Sequence, residues 1–253
     1  MTGVLGIDIG GTGIKAAPVD LSAGRLLTER LKLATPHPPT PAAVAAVVSD
    51  LVTHFAWTGP AGVTFPGVVT DGTVKTAPNM DRDWIGVNAA EFLGQATGLR
   101  ITVLNDADAA GLAEMRYGAG RGQDGTVLLL TFGTGIGSAL FYDGVLIPNT
   151  EFGHIEIHGK DAEHRASERA RETGDLSWAK WADRVDAYLD KIEELLSPSR
   201  IIIGGGISRK SGKFLPRLSL RATVVPAVLQ NDAGIVGAAM AADAAAAAGH
   251  QPL

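Results

Sequence analysis

Residues 3–20 read GVLGIDIGGTGIKAAPVD. Apolar residues surround one acid, Asp8, a turn Gly10-Gly11-Thr12-Gly13 follows, and a second apolar run carries one lysine, Lys15. Glycine loops that bind phosphate usually lead from a strand into a helix. Here Ile14, Ala16 and Val19 read as a second strand with Lys15 facing the other way, and Pro18 stands against a long helix. The spacing predicts a strand over 3–9, a glycine turn, and a hairpin partner over 14–19. The question is what chemistry wants an acid just before such a turn and a lysine just after it.

The same pattern returns in GTVLLLTFGTGIGSALFYDG, residues 125–144: strand, glycine turn, strand. Between and after the two hairpins, strands and helices alternate. A third strand is expected over 25–33, a helix from Pro41 through Phe55, and a buried strand over 60–69 ending in a Pro-Gly turn. TAPNMDRDWIG (76–86) has no periodicity and reads as a surface loop. A helix capped by Asn88 follows, then a buried strand in RITVLNDAD and a long helix over 107–120. Residues 161–195 read as charged and helical, with Trp178, Trp181, Val185, Tyr188, Leu189, Ile192 and Leu196 on one apolar face that either buries in its own domain or pairs subunits. RIIIGGGIS and ATVVPAVL are strands. NDAGIVGAAMAADAAAAAG closes the chain as a helix with Asp232 as N-cap and a frayed tail beyond it. The hairpins make the sheets mixed, and the two glycine turns suggest two related halves, 1–105 with 231–253 and 106–230. No short-period repeat points to a solenoid.

Of 253 residues, 45% are hydrophobic and 19% charged, enough for one large or two small domains. The 32 glycines sit between apolar runs, which indicates tight turns rather than disorder. A formal net charge of −5 makes a nucleic-acid backbone an unfavoured partner. The absence of cysteine rules out disulfides and thiolate metal sites and fits a reducing compartment. With no leader pattern and no run of 18 apolar residues, a soluble cytoplasmic protein with no membrane partner is expected.

Several residues invite chemistry. Successive amides in a small-residue turn make an anion-binding concavity, and two such turns can grip one phosphate chain; either turn alone is also an ordinary hairpin. Two readings stand for Asp8: it holds Mg²⁺ through water beside a phosphate, or it caps amides of its own turn. Lys15 would partly neutralise a transferred phosphate. In VLNDADAAG (103–111), a strand ends in Asn105-Asp106, where Asp106 can take a proton from an attacking hydroxyl, or Asp106 or Asp108 simply caps the helix. In EFGHIEIH (151–158), Glu151 and His154 can bracket vicinal sugar hydroxyls; the alternatives are a polar turn, or a metal held by His154 with His158, Asp161 or His164. The glycines of IIIGGGIS (201–208) allow close approach of a nucleotide or phosphate, or provide a turn with positive φ. The charged segment 160–173 and SRKSGK (208–213) are solvated surface unless a polyanionic substrate runs along them.

Taken in order, GIDIGGTGIKAAPVD, VLNDADAAG, LTFGTGIGSALFYDG, EFGH and IIIGGGIS resemble the ROK family of sugar kinases over nearly the whole chain. That resemblance implies an α/β, actin-like ATPase (ribonuclease H-like) fold, with two similar domains around a cleft. It implies donor phosphate contacts from Asp8, Gly10, Gly11, Thr12, Gly13 and Lys15, from Thr131, Gly133, Thr134 and Gly135, and from Gly204, Gly205 and Gly206. It makes Asp106 the base, with Asn105, Glu151 and His154 on the sugar and Thr64, Gly67 and Asn79 lining the same pocket. Many members carry a cysteine-rich zinc segment after EFGH; this chain has GKDAEHRASERARETGDLSWAKWADRVDAYL there, so no zinc is expected, and Glu163 is the candidate to replace a second sugar-binding glutamate. Within the family, TAPNMDRDW and AEHRAS…LSWAKWADR resemble most the actinobacterial polyphosphate glucokinases. The implied reaction is phosphoryl transfer to the 6-hydroxyl of glucose from inorganic polyphosphate or ATP, with Mg²⁺, by a homodimer. The alternatives are an ATP-only glucokinase, a kinase of another hexose such as mannose, a sugar-responsive regulator (the phosphate strand begins at residue 4, leaving no room for a DNA-reading domain), and a silent sugar-binding protein.

Overall fold

The computed structural model describes residues 3–249; the tail expected beyond the last helix lies largely outside them. The chain divides into two compact units, Met1–Ala113 with Asp232–Leu253, and Glu114–Asn231.

The first unit opens with β1 (Val4–Ile9) and β2 (Ile14–Asp20), an antiparallel hairpin in which Asp8 lies directly opposite Lys15. The third strand expected over 25–33 is instead two pieces, β3 (Arg25–Leu26) and β4 (Leu31–Leu33), both paired with β2. Pro18 sits opposite the break. It has no N–H to offer a ladder, and its carbonyl takes the Leu27 amide at 2.8 Å. Helix α1 (Pro41–His54) is capped by Thr40, and β5 (Ala61–Phe65) is buried along its whole length. A two-strand ribbon, β6 (Val69–Thr70) and β7 (Thr73–Val74), precedes α2 (Ala89–Thr97), where Asn88 caps the Glu91 amide as expected. Strand β8 (Ile101–Asn105) runs into α3 (Asp106–Tyr117). The sheet order is β3-β2-β1-β5-β8, with β4 also on β2; β1, β5 and β8 are mutually parallel.

The aperiodic stretch 76–86 is not merely a surface loop. Trp84 is 0% exposed, packs on Phe65 at 5.0 Å between ring centroids, and donates its indole N–H to the Pro39 carbonyl. A single buried aromatic in a short 3₁₀ turn leaves no period to read.

The second unit repeats the plan. Strands β9 (Thr126–Phe132) and β10 (Ile136–Tyr142) form the second hairpin, extended by β11 (Val145–Ile147). A ribbon, β12 (Glu156–Ile157) and β13 (Lys160–Asp161), leads to α4 (Glu163–Ala166), α5 (Glu168–Thr173) and α6 (Trp178–Leu196). The segment expected to be one helical run is thus broken twice. Ser167 turns extended and caps the Ala170 amide, and Ser177 caps the Lys180 amide after a turn at Gly174. Strands β14 (Arg200–Gly204) and β15 (Thr223–Pro226) complete the sheet, ordered β11-β10-β9-β14-β15, with β9, β14 and β15 parallel. The apolar stripe of α6 is spent inside this unit: Trp181, Val185, Tyr188, Leu189 and Ile192 are at most 1% exposed and pack with Leu128, Phe132, Ile201 and Ile203. Each such burial is worth about 1.5–3 kcal/mol before entropy is charged against it.

Helix α7 (Ala233–Ala247) returns to the first unit and lies on β1, β5 and α3. The contact is backbone on backbone. A Cβ at Gly6 would stand 1.9 Å from the Ile235 carbonyl oxygen, one at Gly62 1.7 Å from that of Ala238, and one at Gly237 1.8 Å from that of Ala109. Asp232 does not cap this helix: its backbone is already helical, and its carboxylate pairs with Arg30 instead. Among the described residues, no helix is long and apolar enough to cross a membrane.

Candidate active site

In the first unit, hairpin register puts Asp8 and Lys15 on one face of the sheet. Lys15 Nζ lies 3.1 Å from Asp8 Oδ2, and the buried Thr64 hydroxyl, from neighbouring β5, donates to Asp8 Oδ1 at 2.9 Å. Thr64 in turn accepts the Ile9 amide at 3.1 Å. Asp8 is therefore held by side chains rather than by amides of its own turn, which removes the capping alternative. Gly234, at the start of α7, presses on the carboxylate: a Cβ there would come within 3.1 Å of it. A carboxylate has room for about four hydrogen bonds, so Asp8 can still receive a water on a hard cation, and Mg²⁺ keeps most of its own waters. The donor set fits that ion as a single water-bridged ligand.

The turn beyond Asp8 is closed by the Gly10 amide on the Gly13 carbonyl at 3.2 Å, and Thr35 donates its hydroxyl to the Gly10 carbonyl. Among the described residues, no acceptor takes the amides of the exposed Gly11 and Thr12. Two adjacent unpaired donors on a short turn are the makings of an anion nest. Asn79, also exposed, approaches Gly11: a Cβ on the glycine would sit 3.7 Å from the asparagine Cβ.

The strand end at β8 is built around Asn105. Its Oδ1 accepts the amides of Ala107 at 2.8 Å and Asp108 at 3.0 Å, and its amide nitrogen donates to the Gly67 carbonyl at 3.1 Å. Asn105 is therefore the cap of α3, where the sequence had offered Asp106 or Asp108. Asp106 accepts the same Ala107 amide at 2.9 Å and is half-buried. Gly67 has no space for a side chain, since a Cβ would lie 2.2 Å from the Thr76 carbonyl oxygen.

In the second unit, the turn after β9 is closed by the Gly133 amide on the Gly135 carbonyl at 3.0 Å and pinned by the Arg169 amide on the Gly133 carbonyl at 3.0 Å. Among the described residues, the amides of Thr134 and Gly135 meet no acceptor. Glu163 caps the far side, taking the Ile136 amide at 3.2 Å and filling the space where a Gly135 Cβ would be. Gly204 lies against Thr131, and Gly205 has φ +77° with its α-carbon so close to β9 that a Cβ would stand 2.5 Å from the Phe132 carbonyl oxygen. Only glycine satisfies both demands.

Glu151, His154 and Glu163 share one electrostatic neighbourhood. His154 Nδ1 is 3.0 Å from Asp161 Oδ2, and its Nε2 is 4.0 Å from Glu151. The hydrogen bond to Asp161 raises the His154 pKa, and Glu163 and Glu151 add to this against the opposing effect of burial. Burial raises the Glu151 pKa; His154 pulls it back and Glu163 pushes it further up. Asp161 entered the sequence reading only as a metal alternative, and the ribbon β12–β13 is what brings it to His154. Among the described residues, no group of three or more His, Asp or Glu side chains is arranged to hold a metal ion. Gly234 and Thr35 escaped the sequence reading altogether, because each lies far along the chain from the turn it supports.

The model of the ROK family matches residues 4–174. Over 237 residues the chain is 57% identical to a Mycobacterium tuberculosis protein named polyphosphate glucokinase, covering 93% of this chain and 89% of that one. A solved inorganic polyphosphate/ATP-glucomannokinase from Arthrobacter sp. strain KM superposes with a TM-score of 0.94 at 49% identity, over 96% of this chain and 99% of the other. A ROK family glucokinase from Streptomyces griseus, solved with glucose and AMPPNP, superposes with a TM-score of 0.84 at 28% identity, over 96% and 100% of the two chains.

Proposed function

The chain belongs to the ROK family and has its actin-like ATPase fold, and on that premise we propose that it transfers the terminal phosphoryl group of inorganic polyphosphate, or of ATP, to the 6-hydroxyl of glucose. The observation that carries the substrates is the 57% identity, over 93% of the chain, to a protein named polyphosphate glucokinase. The geometry of the two units supports the roles proposed next.

Asp106 takes the proton of the 6-hydroxyl as that oxygen attacks the terminal phosphorus. The bond from phosphorus to the bridging oxygen breaks, and the donor leaves one phosphate shorter. Asn105 holds Asp106 in place by capping α3 and anchoring Gly67, so the base sits at a strand end with little freedom to turn away. Glu151, His154, Glu163, Gly67 and Asn79 are assigned to the sugar, whereas Thr64, 0% exposed and with its hydroxyl engaged by Asp8 and the Ile9 amide, supports Asp8 instead of lining the sugar pocket. The amides of Gly11 and Thr12 in one unit and of Thr134 and Gly135 in the other are assigned to donor phosphate oxygens, with Lys15 as the cation and Thr131 and Gly204–Gly206 beside them. Bound Mg²⁺ would spread the charge on the transferring group, with Asp8 holding it through water. The enzyme is proposed to be a cytoplasmic homodimer.

Mannose is a second acceptor to weigh, because the 49% identical Arthrobacter protein is named a glucomannokinase. One assay separates these readings: sugar 6-phosphate formation by the purified chain with Mg²⁺, glucose or mannose as acceptor, and polyphosphate or ATP as sole donor. Turnover of glucose with polyphosphate is expected. Turnover with ATP alone would leave a glucokinase and remove the polyphosphate donor; no turnover with either would remove the kinase reading.

A further inference from the structure

Resting on the polyphosphate reading, we propose that the face formed by Arg171, Lys210 and Lys213 around Trp178 is a second phosphate subsite. It would hold the part of a long polyphosphate chain that runs past the phosphates at the glycine turns, a part that ATP does not have.

The charge pattern is the first observation. The chain has a net charge of −5, yet residues 205–222 carry five cations (Arg209, Lys210, Lys213, Arg217, Arg221) and no acid. Arg221 is used structurally, on Glu193 at 2.8 Å, Lys210 touches Glu168 at 3.3 Å, and Arg171 touches Glu172 at 3.2 Å. Among the described residues, Arg209, Lys213 and Arg217 have no carboxylate within 4.0 Å. The second observation is where this charge gathers. Arg171 lies 4.5 Å above the Trp178 ring, Lys213 5.2 Å and Lys210 5.9 Å from it. Glu172 and Glu168 offset part of the charge on Arg171 and Lys210, and Lys213 has no such partner among the described residues; the indole holds the cations in place but does not neutralise the remainder. A bound polyanion would.

The third observation is adjacency within the same unit. Helix α5 begins at Glu168, which holds Lys210 and lies 3.6 Å from where a Gly206 Cβ would stand. The next residue, Arg169, bonds the Gly133 carbonyl, and Arg171 reaches Trp178. The glycine turn, the Gly205-Gly206 bend and the cationic face are thus joined by one helix about 9 Å long. On ATP, the negative charge ends at the third phosphate and a nucleoside begins. Cations beyond that point serve only a longer phosphate chain. A nucleic acid fits less well, since Trp178 is already stacked on Phe214 at 6.5 Å and 14° and covered by cations, which leaves no platform for bases.

The test is the double variant Lys210→Glu/Lys213→Glu, two exposed positions, in steady-state kinetics at saturating glucose with long-chain polyphosphate, tripolyphosphate and ATP. The expected result is a rise of about tenfold or more in KM for the long chain and about twofold or less for the other two, with a shallower salt dependence of the long-chain KM. An unchanged long-chain KM, or an equal loss with all three donors, overturns the subsite. So does single-stranded DNA competing with long polyphosphate as well as polyphosphate itself does, because that marks an unselective polyanion surface. An unmodified chain that turns over ATP but no polyphosphate overturns the donor reading and the subsite with it. If the unmodified chain uses polyphosphate and the variant matches it, only the subsite falls.

Discussion

Asp106 and Asn105 are neighbours with separate proposed tasks, and the separation is testable. Asp106→Asn keeps the shape and the link to the Ala107 amide but cannot take a proton, so kcat is expected to fall by about 10² or more while glucose affinity is kept. Rapid-quench or steady-state kinetics with a glucose titration checks both halves; near-normal turnover would sink the base assignment. Glu151 yields a pH prediction. Its carboxyl titrates above the usual glutamate range, chiefly through burial, so as pH falls it protonates sooner than an exposed glutamate. The protonated form loses an acceptor for a sugar hydroxyl. KM for glucose should therefore rise as pH falls toward the Glu151 pKa, starting above the ordinary value of 4.5, and Glu151→Gln should flatten that rise while having a higher KM at neutral pH. A profile of the same shape in both proteins would detach Glu151 from the sugar. These residues were legible from type and position: an acid at a strand end, an acid and a histidine around a glycine. Their partners were not. Asp161, Gly234 and Thr35 meet the site only through a ribbon, a returning helix and a loop, and none has a local pattern that says so.

At the scale of elements, the glycines divide into two kinds that look alike in sequence. Those at 11–13 and 133–135 keep turns small. Gly6, Gly62 and Gly237 instead let α7 touch the sheet and α3 directly. Gly237→Ala would drive a Cβ to 1.8 Å from the Ala109 carbonyl oxygen, so the helices must separate. A loss of about 1–3 kcal/mol or more is expected, whereas Gly212→Ala, which meets nothing within 4 Å, should be neutral. Denaturant midpoints for the two variants measure this; equal stability would mean that α7 yields easily. The helix caps show what sequence can and cannot supply. Thr40, Asn88, Ser167 and Ser177 cap through short local bonds. At Asp232 another residue suited to capping is diverted to Arg30, a competition between distant residues that no local rule weighs.

Over the whole chain, the two sheets follow one plan: an antiparallel hairpin at one side and two parallel strands at the other, with the hairpin's glycine turn at the end of the first strand. Repetition of a half this large explains why both hairpins share a sequence pattern. Independently of that plan, a ligand that binds the native state stabilises the whole molecule by mass action. Glucose at about 100 times its Kd should add about 2.7 kcal/mol, seen as a rise in Tm that Asp106→Asn retains and Glu151→Ala loses. A Tm indifferent to glucose would mean that the sugar binds only after the donor. Light scattering should give a mass of about twice 26.2 kDa if the protein is the proposed homodimer.

Local sequence specifies the two glycine hairpins, the mixed α/β class, the strand-end acid and the family, because each depends on residues close together in the chain, where spacing and residue type translate directly into geometry. Tertiary structure alone decided that Asp8 is held by Lys15 and Thr64, that Asn105 rather than an aspartate caps α3, that Trp84 belongs to a core, and that the α6 stripe is spent inside its own unit. Most of these are choices among partners dozens of residues apart, as with Thr64 on Asp8, and even the local cap at Asn105 is fixed by its distant anchor on Gly67. Such choices are made by which sheets and helices pack together, and packing is a property of the assembled molecule rather than of any stretch of it.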